Sequence, residues 1–265
     1  MNPKDLPPEL LRHGAIVSAA QPYALRAVDI DSPLLVVPLQ GQKVLAWDRC
    51  SVTVGAGEYL MLHRCLKASV QNLPAQGAYR AWCLAFPWRV VDLARTLLAA
   101  HALPPAPGSP VGTGPLDDLR GALERLPALP DDDQAALDHA LLGLLLALAR
   151  RGDAQFCLAH DPTLAARIRL LVGAAPAHPW TSAEIEEHLH MSGPTLRRKL
   201  AAEGTSLRAL VRDARLDHGL CLLQSTRRPL KAVAAACGYR SVPSFSRQFT
   251  ERYGVEPALV AAQPA

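Results

Sequence analysis

Two stretches near the C-terminal end, AEIEEHLHMSGPTLRRKLAAEG (183–204) and KAVAAACGYRSVPSFSRQFTERYG (231–254), decide how the chain is read, because they superimpose. With one extra residue in the second turn, Ile185 falls on Val233, Met191 on Tyr239, Ser192 on Ser241, Pro194 on Pro243, Leu196 on Phe245, Arg198 on Arg247 and Leu200 on Phe249. Each stretch reads as helix, short turn, capping serine, helix. Ser192 is placed to accept the backbone N–H of Thr195, and Pro194 sits in the first turn, where its missing N–H leaves no bond unmade. Leu196 and Leu200, like Phe245 and Phe249, stand four apart and are expected to anchor the second helix of each unit to the core. Positions 194, 197 and 198 then face outward together, as do 243, 246 and 247. This is the helix-turn-helix pattern, whose second helix lies in a DNA major groove with its first residues at base edges. Arginine suits a bidentate bond to guanine there, while serine and the proline ring make short polar or apolar contacts.

Working outward, every segment from about residue 161 reads as helix. Asp161-Pro162 is a start signal for TLAARIRLLV, Thr181 or Ser182 caps the next helix, and a long amphipathic stretch over 206–224 joins the two units. Residues 161–265 are expected to form a compact all-α domain, and residues 155–265 are expected to fold alone. Residues 163–262 hold 14 Lys and Arg against 8 Asp and Glu, a balance of +6, and the rest of the chain holds 14 against 16, a balance of −2. A basic C-terminal part is the electrostatic footprint of a phosphate-binding module.

Residues 1–100 are strand-like, with LLVVPL (34–39), KVLAW (43–47), SVTV (51–54), YLML (59–62) and YRAWCLAF (79–86) separated by turn signals. An antiparallel barrel or sandwich follows, so the fold class is α+β. HALPPAPGSPVGTGP (101–115) reads as a linker or exposed loop. Residues 101–160 continue as a connector with helices over 116–126 and 131–150, whose Leu137, Leu141, Leu144, Leu145 and Leu148 follow helical spacing. Internal packing and a homodimer seam are equal readings of that stripe.

Other function classes find little support. No apolar run reaches the roughly 18 residues of a membrane span, and MNPKDLPPEL lacks the pattern of a signal peptide, so a cytoplasmic protein is expected. None of the six cysteines, at 50, 65, 83, 157, 221 and 237, is paired at zinc-site spacing, and His63 alone does not supply the ligands of a metal-binding barrel. No cofactor, metal or catalytic residue is expected. A metal-dependent enzyme fused to a helical domain is the competing class.

WTSAEIEEHLHMSGPTLRRKLAAEGTS, together with GLCLLQSTRRPLKAVAAACGYRSVPSFSRQFTERYGVEP, closely resembles the AraC/XylS-type DNA-binding domain over about residues 163–262. The resemblance implies two helix-turn-helix units joined by a long helix, reaching successive major grooves of double-stranded DNA. It places Pro194, Arg197, Arg198, Val242, Pro243, Ser246 and Arg247 at the bases. Ser192, Lys199, Arg227, Arg228, Arg240 and Ser241 are expected at the phosphate backbone. It further implies a transcription regulator, an activator in the first reading, with RNA polymerase as partner. His190 stands where the family favours a turn glycine and calls for a left-handed histidine, and Gly219 is expected to loosen the connecting helix. The N-terminal region more distantly resembles the family's cupin-like sensor domain. Its effector cavity is expected to be lined by Val36, Leu39, Val44, Val54, Leu60 and Leu84, and its signal is either a small molecule or a protein regulator.

Overall fold

The computed structural model describes residues 11–100, 108–126, 133–158 and 163–261. The N-terminal decapeptide and the Asp161-Pro162 start signal lie outside the described residues. The strands are β1 (Ala15–Ala19), β2 (Tyr23–Ile30), β3 (Leu34–Gln40), β4 (Gln42–Trp47), β5 (Cys50–Gly55), β6 (Glu58–Leu62), β7 (Leu66–Leu73), β8 (Tyr79–Ala85) and β9 (Val111–Pro115). They form two antiparallel sheets, ordered β1-β8-β3-β6-β9 and β2-β7-β4-β5. The helices are α1 (Trp88–Ala99), α2 (Arg120–Leu123), α3 (Gln134–Arg150), α4 (Leu164–Ala174), α5 (Ser182–Leu189), α6 (Gly193–Ala202), α7 (Leu207–Ser225), α8 (Leu230–Ala236), α9 (Val242–Tyr253) and α10 (Pro257–Val260).

The inner faces of the sheets enclose one core, with Val17, Val36, Leu60, Leu62 and Ala81 opposite Leu25, Leu45, Val54 and Val70. The outer face of the first sheet is buried as well. Leu35, Val37, Leu39, Met61, Trp82 and Leu84 pack on Val90, Val91 and Ala94 of α1 and Leu141, Leu144, Leu145 and Leu148 of α3. That double burial is why β3 reads as an uninterrupted apolar run, since a strand covered on both faces needs no polar alternation. Gly41 makes the tight turn from β3 to β4 at φ 77°, where a Cβ would stand 2.5 Å from the Leu73 carbonyl oxygen.

Several expectations need correction. Part of the stretch read as a linker is sheet: Val111–Pro115 pair with β6, while 101–107 lie outside the described residues. Glycines and prolines are tolerated there because β9 is an edge strand, with a neighbour on one side only. The α3 leucines 141, 144, 145 and 148 point into the core and Leu137 packs at its margin, so the stripe serves internal packing and not a dimer seam. Asp133 caps that helix by accepting the Ala136 N–H at 2.8 Å.

The six residues expected to line one cavity are split by the pleat. Val36, Val54 and Leu60 face the inner core, but Leu39 and Leu84 face the helices. Strand side chains alternate faces, so Val36 and Leu39, three apart on β3, cannot share one. On β4 the buried positions are Lys43 and Leu45, and Val44 points the other way.

The helical half holds two cores. Leu164, Ile168 and Val172 pack with Ile185, Leu189, Leu196, Leu200, Leu210 and Ala214 in a unit of their own. Leu216, Leu220, Leu223, Val233, Phe245, Phe249 and Tyr253 instead belong to the same core as the inner face of the barrel. The first half of α7 therefore serves one unit and its second half serves the other, against β1 and β2.

Candidate nucleic-acid interface

The two repeats fold as α5–turn–α6 and α8–turn–α9. Thr181 caps α5 in a reciprocal box: Glu184 N–H donates to Thr181 Oγ1, and Thr181 N–H donates to the Glu184 carboxylate at 2.8 Å. These bonds to the charged form, with His178 alongside, hold the Glu184 carboxyl down at about 2. The turn into α6 runs through His190 at φ 51°, ψ 45°, the left-handed conformation expected from its place in the repeat. The serine caps differ. Ser241 Oγ accepts the Ser244 N–H at 3.4 Å, but Ser192 Oγ donates to Thr195 Oγ1 at 3.0 Å and accepts no backbone N–H. The carboxylate of Glu186 lies against Gly193 at the start of α6, supplying negative charge at the positive end of the helix.

Leu196 and Leu200, like Phe245 and Phe249, are buried anchors. On the outward stripes Pro194, Arg197, Arg198 and Lys199 are exposed, as are Pro243 and Arg247, while Val242 and Ser246 are half-buried. Among the described residues Arg247 has one loose partner, Glu251 at 4.0 Å, and its side chain is 73 % exposed, so its guanidinium is available.

A broad polar trough runs between the units. Ser206, Arg208, Arg212 and Arg215 of the α7 region form one wall, and Arg240, Ser241, Ser244, Arg247 and Gln248 form the other. A smaller groove containing Arg197, Leu196 and Leu200 shares Ser182, Ser206 and Arg208 with it, so Arg197 and Arg247 stand at two ends of one continuous basic surface. Sequence reasoning missed Arg208, Arg212 and Arg215. Their spacing of four and three along α7 puts them on one helix face, which was legible once the helix was drawn. Arg215 is structural in part, donating to the carbonyls of Pro176 at 2.9 Å and His178 at 2.8 Å.

Arg227 stands elsewhere. It lies beyond the C-terminal end of α7 and lines a cleft with Arg80 and the Gln76–Ala78 turn of the barrel. Arg228 follows it, exposed.

Gly219 also differs from expectation. A Cβ there would meet Phe245 Cε2 at 2.8 Å and Cys237 Sγ at 3.2 Å, so the glycine lets α9 pack tightly on α7 and does not loosen it.

A second candidate site lies on the seam between barrel and helices. A cavity of about 300 Å³ is lined by Val17, Leu25, Val36, Leu45, Leu62 and Val70, with Leu220 and Gln224 of α7 closing it and Lys43 in its wall. Of the six residues expected to line it, Val36 alone does. Lys43 Nζ donates to Asn72 Oδ1 at 2.9 Å and to Tyr79 OH at 3.4 Å. Burial pushes its pKa down. Among the described residues, no cluster of three His, Cys, Asp or Glu side chains is arranged to hold a metal. No helix among them is long and apolar enough to cross a membrane.

Comparison with known proteins places this geometry. Residues 185–263 match the family described as a helix-turn-helix domain. The transcriptional regulator GadX of Escherichia coli O6:H1 is 36 % identical over 97 residues, covering 37 % of this chain and 35 % of that protein. The chain thus spans about a third of the length of the curated relative it matches. Apo ToxT from Vibrio cholerae strain SCE256 superimposes with a TM-score of 0.64 at 19 % identity, over 92 % of this chain and 94 % of ToxT. ToxT with an unsaturated fatty acid bound gives 0.61 at 19 % identity, over 95 % and 96 %. Over residues 185–263 the chain thus carries a helix-turn-helix domain similar to that of GadX, and as a whole it has the fold of ToxT.

Proposed function

We propose that the protein is a sequence-specific DNA-binding regulator of transcription, an activator working with RNA polymerase in the cytoplasm, whose helices α6 and α9 enter successive major grooves. The observation that carries this reading is the repeat itself: two equivalent helices present exposed proline and arginine at matching positions, and a basic trough runs between the two units. Arg198 and Arg247 read bases in this scheme. Truncating either to Ala costs about 1–3 kcal/mol on the cognate site and relaxes preference at its own base position, the two positions lying about 10 base pairs apart. Binding to a randomised site library at two salt concentrations tests it. A uniform loss over all sequences would make both residues phosphate clamps and sink the base-reading assignment.

The seam cavity supports a small-molecule effector. Its walls are mostly apolar, its volume is at the small end of the range for ligand pockets, and its Lys43 makes no ion pair among the described residues while Asp29 and Asp217 in the same wall are held by Arg252, a combination suited to a carboxylic acid with a hydrocarbon body. ToxT has been solved with an unsaturated fatty acid bound. Palmitoleate, below its micellar concentration, is expected to raise the Tm of the protein and to lose that effect in Lys43→Met. No shift in the parent protein would remove the effector reading and favour a protein partner.

A further inference from the structure

Strand β2 is the edge of the barrel that lies along the DNA-binding half, and polar side chains from both of its ends cross the seam. At its C-terminal end Asp29 and Asp31, two residues apart and so on the same side of an extended chain, each hold an arginine. The Asp31 carboxylate accepts from Arg169 Nη2 at 2.7 Å and Nε at 2.9 Å, with side chains 18 % and 14 % exposed. Arg169 lies on α4, in the core of the first helix-turn-helix unit. Asp29 accepts from Arg252 Nη2 at 2.9 Å, and Arg252 is in the last turn of α9, the second recognition helix. The same guanidinium also binds Asp213 at 2.7 Å and Asp217 at 3.0 Å on α7, and Tyr253 OH donates to Asp217 at 2.6 Å. One strand end thus grips one helix of each unit.

The other end of β2 leads to the cavity lysine. Asn72, which accepts from Lys43, donates its Nδ2 to Tyr23 OH at 2.7 Å, and Gln224 near the end of α7 donates to the same oxygen at 2.8 Å. Asp29 and Asp217 themselves line the cavity. A ligand there touches the strand, the connecting helix and the acids of the grip. Removing one partner of a buried ion pair is costly, because the charge left behind has no partner.

We propose that β2 is a clasp that ties both helix-turn-helix units to the sensor barrel, through Asp31–Arg169 and Asp29–Arg252, and carries the occupancy of the cavity to the DNA-reading helices. The coupling rests on the effector reading above; the clasp does not. None of the four side chains is needed at DNA. Their role is to fix how the two units are held while the cavity is in one state, so occupancy changes the affinity for DNA without a ligand–DNA contact.

The test uses the full-length protein and two variants. Asp31→Asn with Arg169→Gln removes one pair together and leaves no orphaned charge. Asp29→Asn leaves Arg252 with Asp213 and Asp217, so the second unit keeps its internal ion pairs. Hydrogen exchange without DNA or ligand is expected to quicken at least about tenfold in 164–174 for the first variant and in 242–253 for the second, with the other barrel strands unchanged. The dissociation constant for cognate DNA, with and without saturating palmitoleate, should differ by about fivefold or more in the parent protein. That ratio falls towards one in the Asp31→Asn/Arg169→Gln variant, which keeps its affinity for palmitoleate. Unchanged exchange in both variants overturns the clasp, and an undiminished ratio overturns it as the signal path. If palmitoleate does not bind the parent protein, the effector reading and the path from the cavity both fall, while the exchange result still decides the clasp.

Discussion

At the scale of single residues, two side chains sit in conformations or environments that they would not choose in isolation. His190 holds the left-handed conformation in the turn before α6, where a Cβ carries a steric penalty of about 1 kcal/mol that glycine lacks. His190→Gly is therefore expected to stabilise the protein by about 1 kcal/mol in urea denaturation with unchanged DNA binding, and a loss of stability would mean the ring makes contacts that matter. Asp217 is pushed up to about 6, because burial outweighs the attraction of Arg252 and the Tyr253 hydroxyl. A carboxyl whose folded pKa lies above its unfolded value binds more protons when folded. Its contribution to stability is complete at about pH 4, declines as pH rises towards 6, and is flat beyond. Denaturation curves at pH 4.5 and 7 should show that decline reduced in Asp217→Asn relative to the parent protein. An identical decline in both would place the titration on another group.

At the scale of elements, α7 joins the two units and forms one wall of the trough. Arg208 and Arg212 on its first half are exposed in the trough between α6 and α9, and in the proposed complex they are expected to meet phosphates and not base edges. Arg208→Ala and Arg212→Ala should each weaken cognate and random DNA alike and reduce the slope of log K against log salt by about 1. A sequence-dependent loss would move them to the bases. On the second half of α7, Gly219 brings α9 close. Gly219→Ala gains about 1 kcal/mol of helix propensity but drives a methyl group into the Phe245 ring, so the net effect is expected to be destabilising by roughly 1–2 kcal/mol. A stabilised variant in chemical denaturation would show that α9 can retreat without loss.

At the scale of the whole molecule, the cores do not follow the domain divisions suggested by the order of elements. The first helix-turn-helix unit has its own core, but the second shares one with the barrel, and the barrel's outer sheet face is closed by α1 and α3. A fragment spanning 163–261 would fold, with unequal halves. Its amides in 164–202 should stay protected in hydrogen exchange, while those in 230–253 should exchange faster than in the full chain, because the fragment exposes the apolar surface that β1 and β2 cover. Equal protection throughout would show that the second unit does not need the barrel.

How much of this was legible in the sequence follows from the range of the forces involved. Helical period, capping residues and the repeat are local, so 183–204 and 231–254, the buried Leu196 and Phe245, and the left-handed His190 could be read directly, and the helix-turn-helix domain followed from them. The strands were legible too, but their phase was not. Period two leaves two choices of face, and the choice for β4 is settled by Asn72 and Tyr79 from distant strands, which give Lys43 polar partners inside the barrel. Val111–Pro115 became a strand only because β6 offers it an edge. The seam is wholly tertiary. Asp29 and Arg252 are 223 residues apart in the chain, and no local pattern marks either as a partner. The sequence by itself determined that two helix-turn-helix units exist; the packing of β2 against α4, α7 and α9 decided what holds them, because pairing of buried charges depends on geometry that only the folded chain supplies.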